Sequence, residues 1–148
     1  MNRKVPDKVQ KVFDKYCVNF VRRLNKQKAL EMFATEFKLN PERAEIMFEM
    51  FDKDRNDILS AWEFYLFYES FGYDANEYLD LFDKLANDAQ QADPSGTWDF
   101  LKTLKTLSGR GFEDEELETT MMAILGQEKT LDKKKFIELI SRVKMTRS

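Results

Sequence analysis

Apolar side chains recur at helical spacing in one segment of this chain after another. Val9, Val12, Phe13 and Tyr16 fall at i, i+3, i+4 and i+7, and so do Ala44, Met47, Phe48 and Phe51. Phe64, Phe67, Tyr68 and Phe71 repeat the pattern, Tyr78, Leu79, Phe82 and Leu85 share a face, and Phe136, Ile137, Leu139, Ile140 and Val143 mark a last stripe. Residues three and four apart lie on the same side of an α-helix, so each stripe predicts a helix with one face for a core. The punctuation agrees. Asn40-Pro41 reads as an N-cap followed by proline at the first helical position, and Asp74-Ala75-Asn76-Glu77 reads as a capping box. Gly72 offers a stop. The expected class is all-α.

The helices share a period. From Glu63, Lys28 lies 35 residues back, Asp99 lies 36 residues on, and Lys135 another 36. Just past these points stand Ala29-Leu30, Phe64-Tyr65, Phe100-Leu101 and Phe136-Ile137, each the expected start of a helix leaving a loop. Four residues before them stand Leu24, Leu59 and Leu131, apolar residues suited to a short bridge between loops, while the third unit has Ser95 there. Trp62 and Trp98 occupy the same place in the second and third units.

The loop before Glu63 carries the chemistry. Asp52, Asp54, Asn56, Ser60 and Glu63 stand at positions 1, 3, 5, 9 and 12 of the segment 52–63. A hard cation such as Ca²⁺ takes about six to eight oxygens, and this spacing brings side-chain oxygens to it from several sides of one tight loop. Ile58, at position 7, offers its backbone carbonyl, Ser60 acts directly or through water, and Glu63 closes the set with both oxygens. Position 6 ordinarily holds glycine because the chain turns there at positive φ. Asp57 takes its place, at a cost of roughly 1–2 kcal/mol, which weakens binding without abolishing it.

This arrangement resembles the calmodulin and myosin-light-chain branch of the EF-hand superfamily, over residues 9–143. The resemblance implies four helix-loop-helix units paired into two lobes, residues 1–72 with the second loop intact, and residues 73–148 with both loops degenerate. It implies one Ca²⁺ site, held by Asp52, Asp54, Asn56, Ile58, Ser60 and Glu63. The function implied is that of a calcium-binding sensor or adaptor. On that reading Met47, Phe48, Met50 and Phe71 line a groove for an amphipathic helix of a motor, cytoskeletal or signalling protein. The alternative is a calcium-insensitive, light-chain-type subunit that clamps a motor or cytoskeletal helix.

The other loops depart from the ligand pattern. Residues 17–28 place Cys17, Val21 and Lys28 at positions 1, 5 and 12, and an ammonium group cannot ligate a cation. Residues 86–99 look two residues too long and contain Asp93-Pro94-Ser95-Gly96, a reshaped turn that leaves Asp88, Asp93 and Asp99 as at best a weak cluster. Residues 124–135 carry few carboxylates and end on Lys135. Pairing of Leu24 with Leu59 is nevertheless expected, because a single unit leaves its bridge strand and apolar faces uncovered.

Composition narrows the function further. Net charge is −3, which gives no basic surface for nucleic acid, and there is no histidine to serve as general base or zinc ligand. Cys17 is the one cysteine, so no internal disulfide forms and a reducing, cytoplasmic setting is expected, on the cytoskeleton in the light-chain case. No apolar run is long enough to span a membrane, and Met1-Asn2-Arg3-Lys4 opens no signal peptide. The aromatic share of 14% and the seven methionines are mostly core, with some available to a groove. Ser108-Gly109-Arg110-Gly111 is a turn without a P-loop lysine, and Glu113 to Glu116 place acids where a helix dipole favours them. The basic residues of the last helix, Lys133, Lys134, Arg142, Lys144 and Arg147, belong in this frame to an exiting helix rather than to a membrane surface. No catalytic constellation is legible, and the chain is not expected to be an enzyme.

Overall fold

In the computed structural model residues 5–17, 23–104 and 111–145 are described; residues 18–22 of the first loop, the turn at 108–110, residues 1–4 and Arg147 lie outside them. Among the described residues are eight α-helices and one two-stranded sheet, in keeping with the all-α expectation. The chain divides into two compact units, Met1–Asn76 and Glu77–Ser148, a division after Asn76 rather than after Gly72. No described helix is long and apolar enough to cross a membrane.

The first unit runs α1 (Asp7–Asp14), β1 (Arg23–Asn25), α2 (Lys26–Phe37), α3 (Pro41–Phe51), β2 (Ile58–Ser60) and α4 (Ala61–Ser70), then a 3-10 turn at Gly72–Asp74. The two strands pair antiparallel in the register Arg23↔Ser60, Leu24↔Leu59, Asn25↔Ile58. Three-residue strands do not stand alone in water. Leu24 and Leu59 are fully buried among the helices, and that burial holds the pair. The apolar stripes face inward as their spacing requires: Val9, Val12 and Phe13, then Ala44, Met47, Phe48 and Phe51, then Phe64, Phe67 and Phe71 are all buried. Phe67 is the hub, with ring centroids of Phe33 at 4.8 Å, Phe37 at 4.9 Å and Phe51 at 5.6 Å, each met edge-on. Edge-to-face pairs add about 0.5–1.5 kcal/mol each beyond the area they bury.

Helix starts follow side-chain caps. Asn40 Oδ1 accepts from the Arg43 amide at 2.8 Å with Pro41 in the first turn, as the dipeptide predicts. The capping box read at Asp74 and Glu77 is not among the described hydrogen bonds; instead α5 (Ala75–Leu85) follows directly on the 3-10 turn, whose Gly72 carbonyl takes the Ala75 amide. Gly72 sits at φ +52°, which lets the chain turn just past α4.

The second unit contains most of α5, then α6 (Pro94–Leu101), α7 (Asp114–Leu125) and α8 (Lys133–Lys144). Its loops are joined by one bridge, with Ala92 N–H donating to Leu131 O at 2.7 Å and Leu131 N–H to Ala92 O at 2.9 Å. Leu131 is where the repeat puts it. Its partner is Ala92, not Ser95, and α6 begins at Pro94, well before Phe100. Asp93 caps this helix by accepting from the Ser95 amide at 2.8 Å, and Pro94 occupies its first turn. That local N-terminal signal overrides the 36-residue period, and the third frame shifts by three residues. The segment read as overlong is instead a hairpin, Ala86 facing Ala92, closed by Asn87 Oδ1 on the Ala89 and Gln91 amides. Phe82 and Phe136 meet at 5.3 Å in a core shared with Leu79, Leu117, Ile137 and Ile140.

Candidate metal centre

The loop between α3 and β2 is built around two buried carboxylates at its ends. Asp52 follows the last residue of α3, its amide still bonded to Phe48 O, and only 4% of it reaches solvent. Its Oδ2 accepts from the Asp57 amide at 2.9 Å and its Oδ1 from the Asn56 amide at 3.4 Å. Asp57 adopts φ +59°, the left-handed conformation that position 6 requires, and this turns its amide back onto Asp52. Arg55 at φ +52° is a second left-handed residue that the loop pattern does not announce.

Glu63, 6% exposed, stands in the first turn of α4. Its Oε1 accepts from the Ser60 amide at 2.9 Å and its Oε2 from the Lys53 amide at 2.7 Å. Ser60 Oγ in turn accepts from the Glu63 amide at 3.1 Å, so Ser60 and Glu63 form a reciprocal capping box. That box was legible as Ser-x-x-Glu in the sequence, where both residues were read only as ligands. Glu63 thereby also fastens the beginning of the loop, at Lys53, to the beginning of α4.

The remaining expected ligands are placed differently. Asn56 is exposed and turns its Oδ1 onto the Ile58 amide at 3.1 Å. Ile58 lies in β2 opposite Asn25. Asp54 is exposed, and among the described residues no three His, Cys, Asp or Glu side chains gather as a metal-holding group. Asp52 and Glu63 are thus buried at the two ends of one loop, Asp52 accepting from the Asn56 amide and Glu63 bonded to Ser60, while Asp54 stays exposed.

The two buried carboxylates are the donor type that a hard cation takes. Burying a charge is costly unless it is paired, yet neither Asp52 nor Glu63 forms an ion pair among the described residues; each is held by amide N–H groups alone. Two carboxylates backed by neutral oxygens make a weaker site than three, since ligand charge sets affinity for hard cations.

Among the described residues the other three loops hold no comparable set. Lys28, in the first turn of α2, pairs with Glu31 at 3.3 Å, and Cys17 Sγ donates to Phe13 O at 3.5 Å. Asp93 caps α6 and is held below the usual carboxylate range by the Ser95 amide and hydroxyl, and it does not gather with Asp88 or Asp99. Asp132 caps α8 through the Lys135 amide at 2.8 Å, as Asn25 caps α2 through Lys28.

Three of the four expected groove residues are in the core. Met47, Phe48 and Phe71 are buried and Met50 is half-buried, so in this conformation they line no open groove. An open apolar depression of about 290 Å³ lies instead in the second unit, lined by Pro94, Trp98, Glu118, Met121 and Met122. Met122 is 65% exposed. The methionine count hinted at such a surface, but only the packing of α6 beside α7 tells which methionines form it. No protein-family model matches the chain, and no curated protein matches it.

Proposed function

We propose that this chain is a calmodulin-like calcium-binding sensor or adaptor, with four EF-hand-type units of which one binds metal. The observation that carries the reading is the pair of buried carboxylates, Asp52 and Glu63, at the two ends of one loop and without a cationic partner among the described residues. Asp52, Asn56, Ser60, Glu63 and the Ile58 carbonyl would hold the ion, with Asp54 drawn in from the rim. Calcium supplies positive charge where two carboxylates are otherwise held by amides alone. The chain's residues do the rest: Asp57 turns the loop, Ser60 caps α4, and the Leu24–Leu59 pair couples the loop to its neighbour. The partner is an amphipathic helix of another protein, and the apolar depression at Trp98, Met121 and Met122 supports such an interaction.

A second reading is favoured by a different observation. The loop is closed by its own hydrogen bonds, and Met47, Phe48 and Phe71 are buried as it stands. A calcium-insensitive light-chain-type subunit, binding its helix constitutively, fits that self-sufficiency. Isothermal titration of calcium into the chain, with magnesium present, separates the two. One site that disappears in Asp52→Ala and Glu63→Ala supports the sensor; absence of binding rejects it and leaves the constitutive subunit.

A further inference from the structure

Away from the metal loop, a single carboxylate collects three donors from two other segments of the first unit. Glu36, near the end of α2, accepts from the Tyr73 hydroxyl at 2.7 Å, the Tyr16 hydroxyl at 3.2 Å and the Lys15 ammonium at 3.5 Å. Its side chain is 16% exposed. Tyr16 and Lys15 follow α1, and Tyr73 lies in the 3-10 turn just beyond α4. The Tyr73 ring is held as well, against Phe37 at 4.8 Å and Tyr68 at 5.9 Å.

The placement relative to the strands gives this cluster its meaning. Both α2 and α4 leave directly from the paired strands, so Leu24 and Leu59 tie their starting ends together. Glu36 and Tyr73 tie their far ends. Glu63 stands in the first turn of α4 and Tyr73 past its last, separated by a helix roughly 15 Å long. Any turn of α4 about its first residues is therefore largest where Tyr73 meets Glu36.

We propose that Glu36 and Tyr73 form a latch that keeps α4 closed against α2 and so opposes cation binding at residues 52–63. This rests on the metal reading above. Turning Glu63 Oε2 from the Lys53 amide toward a cation moves a side chain rooted in the first turn of α4, and that place passes the movement to the helix. Tyr73 is 55% exposed, so water competes for this bond, but its acceptor is ionised and opening the latch still subtracts from the free energy of binding. Tyr16 extends the same restraint to α1.

The test is calcium titration of the full chain and of Tyr73→Phe and Tyr16→Phe, together with urea unfolding of each in chelator. Tyr73→Phe is expected to lower the stability of the metal-free protein while tightening calcium binding by about fivefold or more. Tyr16→Phe, whose bond is longer, should act in the same direction to a smaller extent. Unchanged or weaker calcium binding in Tyr73→Phe overturns the latch, because a bond that merely stabilises the fold does not oppose the ion. If neither the parent nor either variant takes up calcium, the metal reading fails and the latch falls with it.

Discussion

Leu24 of β1 lies directly opposite Leu59 of β2, with 1% and 0% of their surfaces exposed. The pair stands between the degenerate first loop and the candidate metal loop. The strand before Lys28 therefore packs directly on the strand that follows the candidate metal loop. Leu59→Ala removes buried volume where the strands cannot collapse, and about 2–5 kcal/mol of stability should be lost. Urea unfolding of the metal-free chain checks this.

Ser60 and Glu63 answer to two separable roles. Ser60→Ala removes the N-cap and should cost about 1 kcal/mol, whereas Ser60→Asp, which keeps an acceptor, should cost less. Glu63→Gln keeps an oxygen for one of the two amides but loses the charge. It should abolish the calcium heat while lowering metal-free stability by only about 1–3 kcal/mol. Thermal unfolding in chelator, set beside calcium titration, separates the effects.

In the second unit the bridge depends on a backbone donor. Ala92→Pro deletes the N–H that reaches Leu131 O at 2.7 Å and leaves that buried carbonyl short of its partner. A loss of about 1–3 kcal/mol is expected in this unit. Hydrogen exchange should show faster exchange at the Leu131 amide, with the Leu24 and Leu59 amides of the first unit unchanged.

The Glu36–Tyr73 contact gives stability a defined pH dependence. Glu36 is held below the ordinary carboxylate value of 4.5, chiefly by the Tyr73 hydroxyl, with burial working against it and Tyr16 and Lys15 assisting. Tyr73 is pushed up from 10.0 to about 12, first by burial and then by Glu36. A depressed carboxylate stabilises the fold above its unfolded value and loses that contribution as pH falls through its folded one. A raised phenol does so below 10.0 and loses it as pH rises through about 12. The difference in urea midpoint between the parent and Tyr73→Phe should therefore be flat between about pH 6 and pH 9 and shrink beyond both ends.

Local and periodic information lay open in the sequence. The stripes at Val9, Val12 and Phe13, at Ala44 to Phe51, and at Phe64 and Phe67 became helices with those faces inward, because helical spacing alone decides which side chains share a face. The pairing of Leu24 with Leu59 was readable from the repeat, since both loops keep the same distance to the next helix. Positive φ at Asp57 followed from its position in the loop.

What the sequence could not determine depended on competition between local signals and on packing. The 36-residue period pointed to Ser95 as the third bridge residue, but Asp93-Pro94 starts α6 earlier and hands the bridge to Ala92, because a cap and a fixed φ act within a few residues and a repeat does not. Met47, Phe48 and Phe71 carry the same apolar chemistry whether they line a groove or fill a core, and only the packed unit shows them filled in. Nothing in the sequence around Glu36 marks its role. Its three donors come from segments 20 or more residues away in the chain, and only the tertiary fold brings Tyr16 and Tyr73 to it.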